Sequence, residues 1–221
     1  MLVRPVCELA TEGSSGLSGS IDTAFLSGLV DAIVEIEKPV RLVGHSLGGQ
    51  WAIRILESVP DRVSAITLLC SRDTPFPAFL PAAQRLRDGD PVDVDGAMAR
   101  WFTAQELSAP SPGSGATDAA PDVVGYARRC LSTVDTASYI RDLESIARFD
   151  RSDVLAETDA AVTLIAAELD AVSTPEAMAQ IGERAGVPVT VLPGARHMSP
   201  FTDPEALAAL LTGEARVGQE G

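Results

Sequence analysis

Short apolar runs alternate with longer stretches of helical periodicity through most of this chain. Val40-Arg41-Leu42-Val43 is a compact, β-branched run, and residues 50–59 that follow carry apolar side chains at amphipathic-helix spacing. Residues 63–70 repeat the buried-strand pattern, as do 161–169 and 188–192, while 21–36, 175–185 and 203–211 read as helices. Pro60-Asp61-Arg62 separates the first helix–strand pair. Strand, helix, strand at this spacing predicts right-handed crossovers, hence an α/β fold with a mostly parallel sheet flanked by helices.

Two regions depart from that rhythm. Residues 2–9 read as an early strand, with Pro5 suited to an edge, and 10–20 as a Gly/Ser-rich loop. Residues 72–158 hold most of the aromatic side chains in helical segments broken by Pro and Gly, which predicts a cap of short helices. Within it, residues 107–120 have little apolar surface to offset ordering and are expected to form a mobile loop. The division is therefore a core of residues 1–71 and 159–211, a cap between them, and a polar tail over 212–221.

Composition narrows the function. A formal net charge of −14 argues against a nucleic-acid or anionic-membrane partner, because phosphate binding needs clustered Lys and Arg. Three cysteines, Cys7, Cys70 and Cys130, lie far apart, which suggests neither a disulfide framework nor a zinc site and points to a reducing cytoplasm. No run has a membrane span's length, the first residues lack signal-peptide features, and no nucleotide-binding glycine motif occurs.

The candidate chemistry starts where the strand ending at His45 meets the next helix. Gly44-His45-Ser46-Leu47-Gly48 has the form of a nucleophile elbow, a sharp turn that lifts a serine hydroxyl above a sheet. Gly44 and Gly48 are expected where a Cβ would collide with neighbouring backbone. The Leu47 N–H, in the first turn of the helix, is the expected oxyanion donor. A serine needs a base, and the chain has only two histidines. His45 should point away from the hydroxyl and pack at the oxyanion side of the pocket. His197 lies beyond the last strand, at the carboxyl end of the sheet, and suits the base. Asp170, just past the strand at 161–169, is the expected orienting acid, with Glu168 the lesser candidate. Ser46, Asp170, His197 is also the order in which hydrolases of this kind carry their triad. Trp101 and Phe102 are expected to wall an apolar acyl pocket.

From Pro39 to Leu211 the chain resembles the α/β-hydrolase superfamily and, more narrowly, the 3-oxoadipate enol-lactonase and related esterases. The broad resemblance rests on Gly44-His45-Ser46-Leu47-Gly48-Gly49, on Ala167-Glu168-Leu169-Asp170, and on Gly194-Ala195-Arg196-His197. The narrower one rests on Arg100-Trp101-Phe102-Thr103 with Tyr126, Cys130, Leu131 and Tyr139. The resemblance implies Ser46 attack on a small ester or lactone, an acyl-enzyme, release by water activated through His197, and no metal or organic cofactor. Cofactor-free haloperoxidases and C–C bond hydrolases share the template, and a catalytically incompetent fragment is the further alternative. Family members carry three strands and a His-Gly loop before the elbow. Only about 40 residues precede it here, so the early strand is expected to be the family's fourth and the chain N-terminally truncated.

Overall fold

The computed structural model describes residues 21–109 and 122–212, with the side chains of 21–25 and 204 outside that description. The expected early strand, the Gly/Ser-rich loop over 10–20, Cys7 and residues 213–221 of the tail expected over 212–221 lie outside the described residues, while Thr212 ends the last helix. Four parallel strands, β1 (Val40–His45), β2 (Val63–Leu69), β3 (Ala161–Ala167) and β4 (Val189–Leu192), pair in chain order. Each was legible as an apolar run, and each is joined to the next by helices, as parallel pairing demands.

Alternation along the strands sends side chains to two different cores. Ile66, Leu68, Leu164 and Ala166 meet α2 (Leu47–Ser58) and α9 (Pro175–Ala185) on one face, where Ile53, Leu56, Met178 and Ile181 are buried. On the other face Leu69, Ile165 and Ala167 pack with Leu207, Leu210 and Leu211 of α10 (Pro204–Thr212). Leu26, Leu29 and Ile33 of α1 (Ile21–Val34) pack against the first core. Helix α9 has the expected start and stop: the Thr174 hydroxyl accepts from the Ala177 N–H, Pro175 opens the helix, and Gly186 ends it with a φ of 68°.

Between β2 and β3 the described chain is helical. It contains α3 (Leu80–Arg87), α4 (Val94–Trp101), α5 (Ala104–Ser108), α6 (Val123–Thr133), α7 (Thr136–Arg148) and the single turn α8 (Val154–Glu157). Asp93, Thr103, Asp122 and Asp135 cap four of these helices by accepting from an N–H of the first turn. Residues 107–120 are not one continuous loop: Leu107 and Ser108 belong to α5, and 110–121 lie outside the described residues. The reason is a reciprocal capping box, in which Thr103 and Glu106 satisfy each other's backbone donors and nucleate the turn.

Candidate active site

The turn out of β1 is built by close backbone packing. A Cβ on Gly44 would lie 2.5 Å from the Gly48 carbonyl oxygen and from Gly49 Cα, so only glycine fits there. Gly48 does not share this role: a Cβ there would meet open space. The second close approach is at Gly49, where a Cβ would run into the Ser71 side chain. Ser71 is held there because its hydroxyl donates to the Ser46 carbonyl at 2.7 Å.

Ser46 sits at φ 53° and ψ −124°, a conformation that L-residues avoid. Its N–H donates to the Leu69 carbonyl at 3.0 Å, and its side chain makes no cap bond to α2, leaving the hydroxyl free to face the loop after β4. Cys70, at the carboxyl end of the neighbouring strand, also has a positive φ, 47°, and burial pushes its thiol up to about 12. Two strained residues thus lie at the carboxyl ends of adjacent strands.

His197 Nε2 lies 2.9 Å from Ser46 Oγ, and His197 Nδ1 lies 2.7 Å from Asp170 Oδ2. Since the carboxylate can only accept, Nδ1 carries the proton and Nε2 is left to accept from the serine hydroxyl. Both His197 and Asp170 are buried. Burial alone would raise the Asp170 carboxyl. The hydrogen bond and charge of His197, with the N–H groups of Val172 and Ser173 on Oδ1, outweigh it and hold the group below its ordinary value. Glu168 is placed elsewhere: its carboxylate accepts from the Gly194 N–H at 2.6 Å and fixes the turn after β4.

The loop carrying His197 is tied to the helices between β2 and β3. The Met198 N–H donates to the Trp101 carbonyl at 2.9 Å, and Arg196 Nη1 donates to the Ala99 carbonyl at 2.9 Å. Glu106 accepts from Ser199 Oγ at 2.9 Å and from Thr202 Oγ1 at 3.0 Å, besides its capping bonds to Thr103. Those donors more than offset the rise that burial would cause and keep the Glu106 carboxyl below its ordinary range. Glu106 had escaped the sequence reading, although Thr103-Ala104-Gln105-Glu106 has the capping-box form that would have flagged it.

Ser46, Leu47 and His197 line a cavity of about 830 Å³ whose other walls include Phe76, Trp101 and Tyr139. Trp101 therefore shares the cavity with Ser46. Phe102 does not line it: the ring is 1% exposed and packs with Ala97, Met98, Ala127 and Leu131. Trp101 ends α4, whereas Phe102, at φ −126° and ψ 154°, has already left the helix, so one of this aromatic pair meets the cavity and the other the helical core. His45 is likewise displaced from the expected pocket wall, as its Nε2 is 2.9 Å from the His197 carbonyl oxygen and its ring packs against His197 and Phe201. Burial, then the neighbouring His197, pushes the His45 imidazole down to about 3, so it is neutral and donates Nε2–H to that carbonyl.

The model of the alpha/beta hydrolase family matches residues 9–210. The chain belongs to this family. Among solved structures, this alpha/beta hydrolase is similar to an enol-lactonase from Burkholderia xenovorans, with a TM-score of 0.71 and 20% identity over 86% of this chain and 70% of the other. A bromoperoxidase from Bacillus anthracis gives a TM-score of 0.72 and 17% identity over 92% and 78% of the two chains. A thermophilic esterase from Thermogutta terrifontis gives 0.68 and 21% identity over 86% and 68%. At these identities the likeness establishes the alpha/beta hydrolase fold. No curated protein matches the chain.

Proposed function

We propose that this alpha/beta hydrolase cleaves a small carboxylic ester or lactone with Ser46 as nucleophile, His197 as general base and acid, and Asp170 as the residue that orients the imidazole. The observation carrying this reading is the unbroken path from Ser46 Oγ through both nitrogens of His197 to Asp170 Oδ2, opening on a cavity. His197 Nε2 takes the hydroxyl proton as Ser46 Oγ bonds to the substrate carbonyl carbon. The oxygen that gains charge is met by the Leu47 N–H at the positive end of α2. Collapse breaks the C–O bond, and the proton on Nε2 goes to the leaving alkoxide. In a lactone that new hydroxyl stays attached to the acyl chain. Water then repeats the steps and frees Ser46. Asp170 stabilises the imidazolium without taking its proton.

In the same proposal residues 72–158 act as a cap over Ser46, with Trp101 as part of the acyl wall. The substrate is a small molecule, and among the described residues no helix is long and apolar enough to cross a membrane. Treatment with a fluorophosphonate probe tests the reading. Labelling at Ser46, lost in Ser46→Ala and in His197→Ala, with parallel loss of p-nitrophenyl butyrate turnover, is expected. A folded chain that neither takes up the probe nor turns over the ester overturns it.

A further inference from the structure

The helical insertion between β2 and β3 leaves the sheet through residues 70–73 and returns to it through residues 149–153. Asp73, on the outgoing side, has a side chain only 1% exposed, and the proposed chemistry does not use it. Both of its carboxylate oxygens accept from Arg184 Nη2, at 2.8 and 2.7 Å. Arg184 belongs to the last turn of α9, and its Nε–H donates to the Ser152 carbonyl, on the returning side, at 3.1 Å. A single guanidinium on a core helix therefore holds both connections. They also meet directly, as the Arg151 N–H donates to the Asp73 carbonyl at 2.8 Å, while Arg151 Nε donates to Glu57 Oε2 near the end of α2 at 3.0 Å.

The two connections are anchored by different means. On the returning side Phe149 and Leu155 are buried in the first core with Ile53, Leu56, Met178 and Ile181. On the outgoing side the buried residues among 71–79 are Ser71 and Asp73, both polar, so that connection is held by hydrogen bonds rather than by apolar packing. Burial raises the Asp73 carboxyl, and Arg184 opposes that rise through its hydrogen bond and its charge. Two charges drawn out of water recover only part of that cost from each other, so such a pair adds little net stability. What it imposes is geometry, because any other placement of Asp73 would leave a buried carboxylate unpaired. That geometry reaches the site from both sides. Ser71, two residues before Asp73, donates to the Ser46 carbonyl, and elsewhere along the insertion Ala99, Trp101 and Glu106 hold the His197 loop.

We propose that Arg184 is a positioning residue for the reaction: by clasping Asp73 and the Ser152 carbonyl it fixes where the helical insertion leaves and rejoins the core. It thereby fixes the insertion's cavity walls, and its grip on the His197 loop, relative to Ser46. Arg184 does not line the cavity, so it acts only through these connections. Its effect on turnover rests on the hydrolase reading given above; the clasp itself does not. Because one nitrogen meets both Asp73 oxygens, a lysine ammonium can replace that hold, though not the Nε–H on Ser152. Arg184→Lys thus separates the two connections, whereas Arg184→Met releases both and keeps the aliphatic stem.

Hydrogen–deuterium exchange on the full chain reads the clasp, and steady-state kinetics reads its consequence. In Arg184→Met the amides of residues 151–157 are expected to exchange roughly tenfold or more faster than in the wild type, while those of β2 and β3 keep their rates. Arg184→Lys should fall between the two. The ratio of kcat/KM for p-nitrophenyl butyrate to that for p-nitrophenyl acetate should drop roughly three- to tenfold in Arg184→Met, because the longer acyl group leans on walls that the insertion carries. Partial unfolding alone would lower both esters equally and leave that ratio unchanged. If Arg184→Met does not accumulate, Asp73→Asn, which keeps one acceptor for Nη2, meets the same criteria together with Arg184→Lys. If the wild type turns over neither ester yet the exchange pattern holds, the clasp stands and the hydrolase reading falls. Exchange over 151–157 that is unchanged in the released variant, or raised equally across β2 and β3, overturns the proposal, as does an ester ratio equal to the wild type's.

Discussion

His45 Nε2–H donates to the backbone carbonyl of His197 at 2.9 Å, and the two rings lie with centroids 4.8 Å apart. The residue before the proposed nucleophile thus holds the backbone of the proposed base, across a separation of 152 positions. Its imidazole is pushed down to about 3 by burial and by His197. Between an unfolded-state pKa of about 6.5 and the folded value, the unfolded chain binds the extra proton, so stability must fall as pH drops through this window. The slope from this group is at most ~1.4 kcal/mol per pH unit. His45→Gln keeps an N–H donor without the titration, so its Tm should fall less steeply from pH 6.5 downward. An acid limb as steep as the wild type's in differential scanning calorimetry would show that other groups dominate.

Asp170 titrates in the same sense by a different route. Its folded-state value is depressed, so its contribution is complete above the ordinary carboxylate range and is lost as pH falls through the depressed value. Asp170→Asn removes that contribution and frees the His197 tautomer, and kcat for p-nitrophenyl butyrate should drop on the order of a thousandfold or more. Glu168→Gln, at a carboxylate bound to the Gly194 N–H, should change kcat little. Steady-state kinetics on both variants would assign the acid to Glu168 if the ranking were reversed.

Glu106 joins the cap-box turn of α5 to Ser199 and Thr202 of the His197 loop. Glu106→Ala leaves the Thr103 and Ser199 donors without an acceptor, while the Thr202 hydroxyl keeps the Ser199 carbonyl at 2.7 Å, and should destabilise the fold by about 1–3 kcal/mol. It should also lower kcat, with the pH–rate profile of the remaining activity displaced as the loop loosens. Glu106→Gln keeps an acceptor and should recover most of both losses. Thermal melts and pH profiles that match the wild type in Glu106→Ala would deny the brace any role.

The elbow glycines separate cleanly. At Gly44 a Cβ would meet main-chain atoms of Gly48 and Gly49, which cannot swing aside, so Gly44→Ala should fail to accumulate as folded protein. Gly48→Ala should be tolerated and, as a glycine replaced within a helix, should raise stability by up to ~1 kcal/mol. Soluble yield and Tm of the two variants report the difference directly.

Much of this architecture was legible because strand runs and helix periods are local signals: β1 to β4 and α9 fall where the apolar pattern puts them. The Ser46, Asp170 and His197 positions were readable for the same reason, as each follows a strand in the pattern. What the sequence hid were facings that depend on distant packing. Phe102 turns into the helical core because Met98, Ala127 and Leu131 close around it. His45 turns under His197 because the β4 loop happens to arrive there. Gly48 looked indispensable by motif, yet the collision falls at Gly49, where Ser71 approaches from a neighbouring strand end.

The backbone at Ser46 has a consequence for how the chain tolerates selection. A side-chain-bearing residue at φ 53° and ψ −124° is held against its preference, typically by 1–3 kcal/mol. Ser46→Gly relaxes that position and should melt higher than the wild type, while the ester hydrolysis proposed for Ser46 should be lost. Variants recovered from a screen for heat resistance alone should therefore drift toward glycine at residue 46, the place where robustness and reactivity pull apart.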